Sequence, residues 1–152
     1  MRRALTFASV AAAAGVIGMM AGGLTGGIKG AVAGETPAPK DAKVYIIWPS
    51  EGTVIKGGKF WLRMGARGIG VAPSGVEKAN TGHHHVIIDS PLPPFDEDIP
   101  ADNNHLHFGA GQSEARVELP PGTHTLQLLM GDHNHVPHDP PLMSRKITVI
   151  VP

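Results

Sequence analysis

"ELPPGTHTLQLLM", residues 118–130, joins a Pro-Gly turn, a ring residue and an alternating apolar run. Thr125, Gln127 and Leu129 fall on one side of the run; His124, Leu126, Leu128 and Met130 fall on the other. That period of two is the signature of a β-strand. In immunoglobulin-like sandwiches a tyrosine closes the corner before such a strand and bonds back to the upstream backbone. His124 takes the ring position here. The stretch therefore predicts a sandwich strand entered through a histidine corner.

Working outward, six more segments read as strands: 43–49, 59–66, 84–89, 105–108, 114–119 and 145–151. In "EARVEL" Ala115, Val117 and Leu119 point in; in "KFWLRMGA" Phe60, Leu62 and Met64 share a face. "HHVIID" is apolar enough to be buried on both sides. Pro and Gly punctuate the junctions, and no helical period is present after the first thirty-three residues. The expected fold is all-β, an immunoglobulin-like antiparallel β-sandwich of about seven strands after an N-terminal signal peptide.

That signal peptide is assigned to 1–33, from Arg2 and Arg3, the long small-apolar stretch after them, and "AVA" at 31–33. An uncleaved membrane anchor is the alternative. Residues 34–42 read as a linker and 43–152 as the His-rich domain. The expected location is periplasmic or secreted. Without Arg2, Arg3 and Lys29, ten of the thirteen basic residues remain against thirteen acidic ones, a formal charge of −3. With no basic cluster, neither nucleic acid nor, after cleavage, a membrane is an expected partner. The absence of Cys excludes disulfides, thiolate nucleophiles and zinc-ribbon sites.

All nine histidines lie between 83 and 138. His105 and His107 share a strand face, as do His83 and His85, with His84 turned the other way. His133 and His135 pair only if the strand continues through "GDHNH", and His138 follows on the next turn. Neutral imidazoles on one side of a strand can chelate copper or zinc, with a further ligand from a neighbouring segment. The candidate metal ligands are His83, His85, His105, His107, His133, His135 and His138. Asp89, Asp132 and Asp139 are candidate second-layer partners that would fix ring orientation. His124 is expected to pack at its corner, and His84 to pack or bond a carbonyl. Met143 is the one thioether worth testing as a soft ligand. The acidic run 95–104 reads as a solvated loop rather than a calcium site. Ser113 in "GQSEA" reads as a turn residue.

The stretches "GVAPSGVEKANTGHHHVIID", "NHLHFGAGQSE" and "LPPGTHTLQLLMGDHNHVPHDPPLMSRKITV" resemble a family of small exported bacterial proteins, domain of unknown function 4399. The resemblance runs from about Val44 to Val151. It implies that the eight histidines other than His124 occupy the family's signature positions, and it implies no mechanism. It also implies that a thioether common in the family is missing here, where Ile69 stands.

These readings lead to a metal-binding protein for copper or zinc, acting in buffering, delivery or resistance. A structural module with a hydrogen-bonded histidine network and a His-metal enzyme are the alternatives. The metal reading further expects affinity to collapse as pH falls through about 6.5, the ordinary imidazole value.

Overall fold

A computed structural model describes residues 34–152, so the segment read as a signal peptide lies outside the described residues. Among them the chain is all-β, with nine strands in two sheets. The strands are β1 Lys43–Trp48, β2 Thr53–Val54, β3 Lys59–Arg67, β4 Gly70–Val71 and β5 Thr81–Ile88. They continue with β6 His105–His107, β7 Glu114–Glu118, β8 Gly122–Gly131 and β9 Ile147–Val151. One sheet has the order β1-β3-β7; the other runs β2-β9-β8-β5-β4, with β6 also paired to β5.

All seven expected strands form. The two extra ones have two residues each and pair in parallel, β2 with β9 and β4 with β5. Two residues carry no periodicity, so no pattern in the sequence could announce them.

Alternation explains the core. Val44, Phe60, Leu62, Met64 and Val117 face inward from the first sheet; Val86, Ile88, Leu126, Leu128, Met130, Val149 and Val151 meet them from the second. The outer face of the second sheet is covered as well. There Ile87 and Leu129 pack with Ile99, and Leu92, Phe95 and Met143 lie over them. The covering segments are tied down by backbone. Ser144 N–H donates to the Leu128 carbonyl at 3.0 Å, and Ile99 N–H to the His135 carbonyl at 3.0 Å. This second cover is why "HHHVII" is buried throughout.

The corner forms as expected. His124 Nε2 donates to the Pro120 carbonyl at 2.8 Å, and Nδ1 donates to Asp89 Oδ2 at 2.6 Å. Only the imidazolium can donate from both nitrogens, and the Asp89 hydrogen bond raises the His124 pKa. With a raised folded pKa, this bond stabilises most below about pH 6.5 and fades as pH rises through the folded value. Asp89→Ala is therefore expected to lower the urea midpoint more at about pH 6 than at about pH 9. An equal loss at both would show His124 neutral.

Residues 36–38, in the segment read as a linker, lie along the chain at Asp139. Ala38 N–H donates to the Asp139 carbonyl at 2.7 Å, and Asp139 N–H to that of Thr36 at 2.9 Å.

Candidate metal centre

β5 presents His83 and His85 on its outer face, both fully buried. β6 pairs beside it with His107 directly opposite His85. On the other flank β8 ends at Gly131, opposite His83. There the chain turns, and the turn rather than a strand delivers the fourth imidazole.

Asp132 builds that turn. Its Oδ1 accepts the N–H of Asn134 at 2.8 Å and of Val136 at 3.0 Å, and its Oδ2 accepts the Thr36 hydroxyl at 2.6 Å. The closed loop holds His135 at φ 70°, a left-handed conformation that costs a non-glycine residue about 1–2 kcal/mol. Strain of this kind persists where the surroundings over-determine it. Because the strand stops at Gly131, His133 and His135 do not share a side. His135 joins the group, whereas the His133 ring lies beside Asn134, with Nε2 3.0 Å from its Nδ2.

Four rings converge. Centroid spacings are 4.8 Å for His83–His85, 5.0 Å for His83–His107 and 5.0 Å for His83–His135. They are 5.0 Å for His85–His107, 6.1 Å for His85–His135 and 4.8 Å for His107–His135. Ligand atoms of His83, His107 and His135 all lie within 4.8 Å of one another, so this trio can hold a metal ion. His85 Nε2 is 3.0 Å from His83 Nε2. The two β5 rings form the floor, while His107 and His135 sit at the more open side.

Burial decides the charge state of the floor. Desolvation, then the neighbouring imidazoles, pushes His83 to about 4 and His85 to about 2. His107 is lowered too, by the same causes. The floor is therefore neutral at physiological pH, the form that coordinates metal. Nδ1 of both floor rings is buried without a hydrogen-bond partner.

Glycines make the room. A Cβ at Gly109 would stand 2.3 Å from His107 Cε1, and one at Gly131 would stand 3.1 Å from His85 Nε2. The sequence reading passed over these positions; their only signal was a glycine close to a histidine in the chain. Gly109→Ala is expected to swing His107 away and weaken metal binding roughly tenfold while the fold persists. Calorimetric titration checks this, and unchanged affinity would remove His107 from the site.

The other candidates sit elsewhere. His105 shares the face of His107 but bonds through Nδ1 to Asp102 Oδ1 at 2.8 Å in a surface turn. His138 lies on the opposite face of β5. A Cβ at Gly82, which shares the side of His84, would meet its Cε1 at 2.8 Å, and its Nε2 donates to the Thr81 carbonyl at 3.2 Å. His84 faces the core with neither ring nitrogen partnered, so it packs but bonds no carbonyl. Of the three aspartates, Asp132 shapes the turn and Asp89 serves the corner. Asp139 is exposed and engages the chain through its backbone. Met143 packs in the apolar cover.

The model of a protein family described as "Domain of unknown function (DUF4399)" matches residues 62–152, and the chain belongs to that family. The match runs from within β3 to residue 152, including every ring of the cluster. No curated protein and no solved structure matches the chain.

Proposed function

We propose that this member of the family binds one zinc ion through His83, His107 and His135, with His85 beside them as the fourth ring of the cluster, in metal buffering or delivery outside the cytoplasm. The arrangement of the four rings carries the reading. A metal–nitrogen bond of about 2.0–2.1 Å places each imidazole centroid about 3.2 Å from the ion. A tetrahedral set then has six centroid spacings of about 5.2 Å; a square set has four of about 4.5 Å and two of about 6.4 Å. Five spacings of 4.8–5.0 Å and one of 6.1 Å lie nearer the tetrahedral set, the geometry zinc adopts, and the donor atoms that lie within 4.8 Å of one another are those of His83, His107 and His135.

Neutral donors and two ligands on the open side suit exchange better than permanent structural closure, which supports buffering or delivery. The export reading rests on the pattern of residues 1–33. For the domain type we propose an immunoglobulin-like sandwich, supported by the strand order and by His124 at the corner position.

Chelator-treated protein titrated calorimetrically at neutral pH is expected to take one equivalent of zinc and to bind copper(II) in a different geometry. One observation favours a second reading, a purely hydrogen-bonded histidine cluster: the 3.0 Å approach of His83 and His85. Failure to bind either metal would leave that reading standing and end the first.

A further inference from the structure

The other outer face of the molecule, on sheet β1-β3-β7, gathers a different chemistry. Both tryptophans and the only tyrosine of the chain are on it. Tyr45 is 46% exposed, Trp48 45% and Trp61 50%, whereas Phe60 and Phe108 are buried. Strand register places them. Tyr45 pairs with Gly65, Trp48 with Arg63, and Trp61 with Arg116 across the next strand. The tyrosine ring lies down over Gly65, where a Cβ would meet its Cε2 at 2.4 Å. The tyrosine therefore lies flat against the sheet, with the two exposed indoles on the same face.

Charge on this face runs against that of the domain. Lys43, Lys59, Arg63, Arg67 and Arg116 alternate outward, with only Glu114 and Glu118 among them. Those two are engaged by Lys59 at 3.4 Å and Arg63 at 3.6 Å. Lys43, Arg67 and Arg116 have no carboxylate within 4.0 Å among the described residues. The face thus carries a formal +3 within a segment, 34–152, that carries −3. Hydrophobic burial alone would have placed the indoles inside, as it did Phe60 and Phe108.

We propose that this face binds an acidic polysaccharide, with sugar rings stacked on Trp61, Trp48 and Tyr45 and carboxylates held by Arg116, Arg67 and Lys43. The axial C–H groups of a pyranose ring present an electropositive face to the electron-rich face of an indole or phenol. Guanidinium groups supply paired donors to a carboxylate, in the geometry that a uronic acid offers. A row of exposed aromatic rings interleaved with cations along one sheet face suits an extended chain of sugars. A bilayer would be met better by side chains projecting from loops. This face lies across the core from the histidine cluster, and the proposal stands independently of metal binding.

Intrinsic fluorescence tests it directly, because both tryptophans report from this face alone. The purified protein is titrated with polygalacturonate in the presence of a chelator, so that no cation bridges protein and polymer. The expected result is a saturable shift in emission that weakens with salt, with no response to neutral dextran. Trp61→Ala and Arg116→Gln should each weaken binding roughly tenfold, with metal uptake unchanged. Arg116→Gln keeps both fluorophores and so separates loss of binding from loss of signal. No saturable response to polygalacturonate overturns the proposal. So does equal binding of dextran, a preference for phosphatidylglycerol vesicles, or a shift that tracks protein concentration alone through self-association.

Discussion

His107→Ala combined with His135→Ala is expected to leave a folded protein that no longer retains zinc. Both rings lie on the open side of the cluster, so their loss removes ligands without emptying the core. Loss of a partner that merely orients a ligand weakens metal sites by about ten- to a hundredfold. Losing two direct ligands should cost about a thousandfold or more. His105→Ala and His133→Ala are the informative controls, because they come from the same H-x-H pairs yet are engaged outside the group, His105 by Asp102 and His133 beside Asn134. Each should change affinity by less than about threefold. Metal content by mass spectrometry on protein isolated without chelator, followed by competition titration, reads all of these. Zinc retained by the double variant would show that the ion sits elsewhere. Single His135→Gly adds a sharper contrast. It relieves the left-handed backbone strain at φ 70°, so stability should hold or rise while affinity falls.

Acid should unfold the metal-stripped protein well before its carboxylates are titrated. Burial lowers His84 to about 4, as it does His83, and His85 goes to about 2. In the unfolded chain these groups take up protons near 6.5. Their folded pKa values are depressed, so the unfolded state binds more protons once pH drops below that value. The stability linked to these three histidines is then full above about pH 6.5 and is lost as pH falls toward 4, at about 1.4 kcal/mol per pH unit for each. Three such groups can exhaust the margin of a small domain within about two pH units. His84→Leu should remove one of the protons taken up on unfolding at about pH 5. It should also raise stability at neutral pH by about 1–3 kcal/mol, since an imidazole with no partner leaves the core. Urea unfolding across pH measures both. An unchanged proton count would mean that His84 reaches water. The same depression moves the loss of metal affinity below the pH of about 6.5 that unperturbed imidazoles imply.

Much of the architecture was legible because alternation is a local property. Val117 and Leu119, Phe60 and Leu62, and Leu126 and Leu128 announced their faces without knowledge of partners. His124 was legible because a corner has a fixed sequence context. Choosing the members of the cluster was not local. His105 and His107 share one strand face, yet only the second stands opposite His85, a matter of β5–β6 register. His135 and His133 were separated by where β8 stops, and that depends on Asp132 bonding Thr36, ninety-six residues away in the chain. The role of Gly109 and Gly131 was invisible for a related reason, since a glycine records the neighbour it admits only after folding.

The triplet His83-His84-His85 also acts as a gauge of strand register. Side chains alternate across β5, so a slip of one residue against β8 would turn two imidazoles into the apolar core and bring one out. Val86 and Ile88 would leave the core at the same time. The misregistered sheet sets two imidazoles among the apolar side chains of the core and takes Val86 and Ile88 out of their packing, and it dismantles the floor of the cluster. Transplanting the cluster to another protein therefore means carrying the β5–β8 pairing with it, because the spacing of the histidines in the chain does not contain the site.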